Sequence, residues 1–143
     1  MNNVEKLALA QRHGMSVRPD TNGFAHLAEA LRLAGVRVNH FDVASGGALY
    51  VMDGGAVYQP GSPLHAEPVP VADFDQAALV AAINADKAGE LTFPEFLRRT
   101  WAAGVICYEV DSAARSCTYR SAAGDHYLEH YPAVTLAQPV ASG

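Results

Sequence analysis

The segment from Asn84 to Glu95 has the length and part of the pattern of a calcium-binding loop. The twelve-residue loop of an EF-hand supplies oxygen ligands at alternate positions, a glycine at the sixth and a bidentate glutamate at the twelfth. Ala88 occupies the fifth position and has no side-chain oxygen, so the loop falls short of a full ligand set. The matching positions hold Asn84, Asp86, Gly89, Thr92 and Glu95.

The same segment fits a helix–turn–helix corner. Gly89 would end one helix, and Thr92 with Glu95 would form a capping box at the start of the next. We favour this interpretation, and whether the segment binds an ion stays open.

Six histidines raise the question of a metal site. Only His126 and His130 lie close together in the chain. Because the surrounding residues alternate like a strand, the two rings would stand roughly 13 Å apart, too far to share one zinc ion. We expect neither a metal nor a cofactor.

Nucleotide-binding and nucleophile motifs are not found. Gly46-Gly47 and Gly54-Gly55 lack the Lys-Ser/Thr of a phosphate-binding loop and the spacing of a dinucleotide fingerprint, and both fit turns. We therefore assign no catalytic residue. Whether the protein is an enzyme stays open, with the balance against it.

Hydrophobic periodicity predicts an α+β fold with about four helices and six strands in a single domain over residues 1–137. The predicted order is two N-terminal helices, a central hairpin, a helix pair and a three-stranded antiparallel unit. Helix ends are expected at Gly14 and at a cap on Asp73. Residues 138–143 are expected to form a disordered tail, and we detect no internal repeat.

The C-terminal strands supply the candidate interaction surface. We expect a turn of two residues, Ala123 and Gly124, between the last two strands. With that register, alternate residues project together from one polar, exposed sheet face. The predicted surface consists of Glu109, Arg120, Tyr127, Glu129 and Tyr131.

The chain has two cysteines, Cys107 and Cys117. The same strand assignment places them on opposite faces of the sheet, where they could not form a disulfide. This arrangement and the lack of a signal-peptide pattern predict a cytoplasmic protein.

The composition of the chain limits the classes of partner that it can bind. The chain has 143 residues, half of them apolar, and a net charge of −5. This acidic balance argues against nucleic acid, and the apolar runs are too short to cross a bilayer.

The runs from Ala88 to Leu97, Trp101 to Val105, Tyr108 to Asp111 and Tyr131 to Val134 carry a family resemblance. The chain resembles the YbcV-like domain-of-unknown-function family, whose members are often labelled phage envelope proteins. The resemblance implies a phage- or prophage-related protein and carries over no catalytic residues.

Two functions follow as hypotheses. The first is a non-catalytic protein-interaction module with an unknown protein partner, and association with a second copy of the chain stays open. The alternative is a small-molecule-binding protein or enzyme that uses the polar face of the C-terminal sheet. A deep pocket with converging polar side chains would favour the alternative.

Overall fold

A computed structural model describes residues 1–137, and the predicted tail, residues 138–143, lies outside the described residues. Residues 1–137 form four helices and a six-stranded antiparallel sheet, which confirms the predicted α+β fold. The helices are α1 (Asn3–Val17), α2 (Phe24–Leu33), α3 (Gln76–Lys87) and α4 (Phe93–Ala102). The strands are β1 (Val36–Asp42), β2 (Ala48–Met52), β3 (Gly55–Gln59), β4 (Val105–Asp111), β5 (Ser116–Ser121) and β6 (His126–His130).

The sheet has the strand order β3-β2-β1-β4-β5-β6, so β1 and β4 lie at its centre. Alternate residues along the strands are apolar and project from the same face of the sheet. This face, here the covered face, therefore packs against the helices. Its buried side chains join those of the helices in one hydrophobic core. The strand residues in that core include Phe41, Tyr50, Met52, Tyr108, Val110, Cys117 and Tyr119. The opposite face, here the open face, carries the alternate residues and is largely exposed.

The chain contains an internal repeat, and the prediction of none was wrong. Each half runs helix, helix, strand, strand, strand, and α2 and β1 recur 69 positions later as α4 and β4 (24 to 93 and 36 to 105). Both central strands begin with an irregularity in their pairing, at Val36/Val38 in β1 and at Val105/Cys107 in β4. Since β1 pairs antiparallel with β4, the halves are related by an approximate twofold axis perpendicular to the sheet.

The two halves have little sequence identity. At this spacing only a minority of the residues are identical, and some of these lie where the backbone conformation is restricted. Gly35 and Gly104, for example, both adopt positive φ just before a central strand, a conformation that glycine adopts at little cost. The identical pairs between residues 24–55 and 93–124 are Phe24/Phe93, Ala34/Ala103, Gly35/Gly104, Val36/Val105, Asp42/Asp111, Ala44/Ala113, Tyr50/Tyr119 and Gly55/Gly124.

Two predicted helix ends were wrong. α1 continues through Gly14 to Val17 because this glycine serves helix packing rather than termination. A Cβ atom at Gly14 would lie 2.7 Å from Leu27 Cδ1, so α1 and α2 approach closely there. α3 is capped by Asp75 instead of Asp73, and the Asp75 side chain accepts a hydrogen bond from Ala78 N at 3.0 Å.

Candidate functional site

The predicted interaction surface is divided between the two faces of the sheet. Glu109 and Arg120 lie on the open face, where β4 pairs with β5 as expected and Glu109 is opposite Thr118. Tyr127 lies on the covered face, because it pairs with the buried Tyr119. The prediction that all five residues share one exposed face was therefore wrong.

The error comes from the turn between β5 and β6. Ser121 N donates to Asp125 O at 2.9 Å, so three residues, Ala122 to Gly124, form the loop where two were predicted. Gly124 has φ +95°, as the last residue of a three-residue hairpin loop commonly does. One extra loop residue shifts the register by one and moves every β6 side chain to the other face.

Tyr131 and Glu129 are consequently held by the helices. The Tyr131 ring packs edge-on against Phe24 of α2 with 5.3 Å between centroids. Glu129 forms an ion pair with Lys87 at the end of α3. Burial raises the pKa of the Tyr131 phenol to about 12. Both side chains thus contribute to joining β6 and the following segment to the helix layer.

A continuous row of side chains crosses the middle of the open face. Each member is paired in register with the next on the neighbouring strand, from one edge of the sheet to the other. Three members are large apolar or aromatic side chains with high exposure: 64% for Tyr58, 50% for Leu128 and 38% for Leu49. This central row consists of Tyr58, Leu49, His40, Glu109, Thr118 and Leu128.

His40 and Glu109 occupy the centre of this row. His40 Nδ1 lies 2.9 Å from Glu109 Oε2, with side chains 50% and 40% exposed. Because an exposed contact between polar side chains adds little stability, this contact sets the position of both side chains more than it holds the fold together.

The two halves of the open face differ in character. Around the row, β1–β3 add mainly apolar side chains, including Val38 and Val51, whereas β4–β6 add polar ones, including Arg120. Arg120 is exposed and takes part in none of the ion pairs formed within residues 1–137. Sequence reasoning missed Leu49, Tyr58 and Leu128, although alternation in the β2–β3 hairpin already placed Leu49 and Tyr58 on a face opposite to buried Tyr50.

The two cysteines lie on opposite faces, as predicted, and both are free. Cys107 pairs with Arg120 on the open face, and Cys117 pairs with Val110 on the covered face. Burial raises the pKa of both thiols, that of Cys117 to about 12.

The segment from Asn84 to Glu95 forms the predicted helix–turn–helix corner. Thr92 N donates to Glu95 Oε1 at 3.0 Å and Glu95 N donates to Thr92 Oγ1 at 3.3 Å, which confirms the capping box. These hydrogen bonds lower the pKa of Glu95 and engage its carboxylate. Over residues 1–137, no three His, Cys, Asp or Glu side chains are grouped closely enough to hold a metal ion.

The described residues line at least two cavities. One of about 10 Å³ lies beneath α2, beside the buried Asn39 Oδ1, which has no hydrogen-bond partner in the described structure. This volume is about that of one water molecule. The other is a shallow groove of about 340 Å³ between His13, Glu29 and Leu33 of the helices and residues 134–137. Neither cavity reaches the open face.

No helix within residues 1–137 combines the length and apolar character needed to cross a membrane.

Residues 13–130 match the family "Protein of unknown function (DUF1398)", and the chain belongs to this family. The uncharacterized proteins Rv2012 of Mycobacterium tuberculosis and Mb2035 of Mycobacterium bovis are similar to it. Each is 45% identical over 131 residues, which cover 92% of this chain and 80% of the relative.

Proposed function

We propose that the protein is a protein-interaction module and that its contact surface is the open face of the sheet. The central row carries the proposal, because it exposes Tyr58 and Leu49 side by side at one edge of the sheet and Leu128 at the other edge. Exposed apolar side chains that are contiguous and bordered by polar residues are typical of protein contact sites. Tyrosine and arginine, which this face also presents, are enriched in such contacts.

The shape and charge of the face favour a protein over other partners. The open face is a broad surface, whereas small-molecule sites are concave and bury most of their ligand. Its charged groups have both signs: Glu109 and Asp111 lie on β4, and Arg120 lies on β5. A nucleic acid or an anionic membrane would require an excess of positive charge, and the chain has a net charge of −5.

Of the surface predicted from sequence, Glu109 and Arg120 remain in the proposal. Phage or prophage descent and a cytoplasmic location stay predictions, and the proposal depends on neither.

Site-specific photo-crosslinking in the producing cells tests the proposal. A photoreactive phenylalanine analogue at Leu49 or Leu128 should yield covalent adducts with protein. Leu9 of α1, with 43% exposure, is a matched control away from the sheet, and the analogue there should yield at least tenfold less adduct. Equal adduct yields at Leu49 and Leu9, or none at any position, would overturn the proposal.

A further inference from the structure

Resting on the proposed function, we propose that the partner is a second copy of this chain, packed open face to open face. The twofold axis of the dimer would run along the central row, across the strands. Each row residue would then lie opposite its own equivalent in the second copy.

The size of the face fits such a dimer. Six strands spaced about 4.8 Å apart, with five residues each at about 3.4 Å, cover roughly 500 Å² of sheet plane. Two copies would together bury about 1,000 Å², the lower bound for a specific interface. Two twisted sheets pack face to face with their strands about 30° apart, so the backbone geometry allows this contact.

The chemistry of the two halves selects the axis. An axis parallel to the strands would place the apolar β1–β3 half of one copy over the polar β4–β6 half of the other. An axis along the row keeps each half on its own equivalent, so that Tyr58 and Leu49 pack against Tyr58 and Leu49 of the second copy. Because burying an unpartnered polar group costs free energy, the second arrangement is favoured.

One contact between opposite charges, that of Arg120 with Asp111, supports the same axis. Arg120 lies two residues to one side of the row on β5, and Asp111 lies two residues to the other side on β4. Rotation about the row exchanges the two sides and brings each Arg120 beside the Asp111 of the second copy. Arg120, which forms no ion pair within the described chain, would thereby gain a carboxylate partner twice in each dimer.

Sedimentation equilibrium tests the association. The wild-type chain should have twice its mass of 15.2 kDa at micromolar concentration. Leu49→Arg, which places a charge from each copy in the apolar contact between Tyr58 and Leu49 of the two copies, should raise the dissociation constant about 30-fold or more. Leu9→Arg is the matched control and should leave the dimer unchanged. A wild-type monomer at about 100 μM, or an unchanged dimer with Leu49→Arg, would overturn the inference.

A crosslinking experiment tests the axis and does not depend on how well the arginine variant folds. In a Cys107→Ser background, Leu49→Cys or Thr118→Cys alone should be linked into dimers by a bis-maleimide of about 10 Å, the distance between packed sheets. If the axis ran along the strands, only a mixture of the two variants would be linked, and that result would overturn the proposed axis.

The two proposals can fail separately. Photo-crosslinked adducts that form at Leu49 and have twice the mass of the chain would support both proposals. Adducts of another mass, from a chain that is monomeric in solution, would overturn the second copy as partner and leave the interaction module standing.

Discussion

His40 and Glu109 occupy the same position in the two halves of the chain and contact each other across the centre of the sheet. They are 69 positions apart (40 to 109), they are register partners, and their side chains are joined at 2.9 Å between Nδ1 and Oε2. The approximate twofold axis therefore passes between them. One half supplies an imidazole and the other a carboxylate. The backbone is therefore approximately symmetric at this axis, whereas the side chains there are not.

The observed β5–β6 register makes opposite predictions for two residues of the surface predicted from sequence. Tyr131→Ala should lower the free energy of unfolding by about 2 kcal/mol or more, because it removes a half-buried ring packed on Phe24. Arg120→Ala should change it by less than about 0.5 kcal/mol, because the side chain is exposed. Urea denaturation of both variants at nanomolar concentration, where the chain is monomeric, measures the difference. Equal effects would contradict the register.

The two thiols should react at very different rates. Cys107 lies on the open face and should be modified by a disulfide reagent in the native protein at nanomolar concentration, where the proposed dimer dissociates, although its raised pKa slows the reaction. Cys117 is buried and has a pKa of about 12, so it should react only as the protein unfolds. One thiol per chain is expected in buffer and two in denaturant. Two fast-reacting thiols in buffer would show that Cys117 is not in the core.

Asp86 should make the protein less stable as pH rises. Burial raises the pKa of this carboxyl above its ordinary value, so the folded chain binds its proton more tightly than the unfolded chain does. Its contribution to stability is therefore fully present below the ordinary pKa of about 4 and is lost as pH rises through the raised native value. Asp86→Asn should accordingly raise the melting temperature at pH 7.

The control for this prediction is Asp20→Asn, since Asp20 is exposed. It should change the melting temperature little at pH 7 and at pH 3.5. The gain from Asp86→Asn should shrink at pH 3.5, and a gain that is equal at both pH values would exclude the carboxyl charge as its cause.

Gly14 should not tolerate a large side chain. Gly14→Leu would place atoms within the contact between α1 and α2 and should cost about 2 kcal/mol or more, despite the better helix propensity of leucine. The neighbouring Met15 is exposed, and Met15→Leu should stay within about 0.5 kcal/mol of wild type. Thermal or urea unfolding compares the two. A neutral Gly14→Leu would show that the helices do not approach closely.

Local patterns predicted the elements of this fold well. The capping box at Thr92 and the β2–β3 hairpin at Asp53-Gly54 are each specified by residues close together in the chain, and both are confirmed. The β4–β5 register also followed from its turn. The next register failed because a loop of two or three residues cannot be told apart from Ala122-Ala123-Gly124 alone, and one residue decides which face is exposed.

The order of the strands in the sheet could not be predicted from local sequence patterns. The pairing of β1 with β4 joins residues more than sixty positions apart, and no local pattern specifies it. The repeat that explains it was detectable only as isolated identities such as Phe24/Phe93 and Gly35/Gly104 at constant spacing. The central row was missed for this reason, because three of its members belong to strands of the first half.

Hydroxyl-radical footprinting tests the central claim, that the open face is a contact surface, most directly. Side-chain oxidation is compared between the chain in a lysate of its producing cells and the purified chain diluted to nanomolar concentration. Tyr58 and Leu128 should be protected several-fold in the lysate, whereas Met15 and Phe93, which are similarly exposed on the helices, should not. Equal oxidation of Tyr58 and Leu128 in both samples, or protection confined to Met15 and Phe93, would contradict the claim.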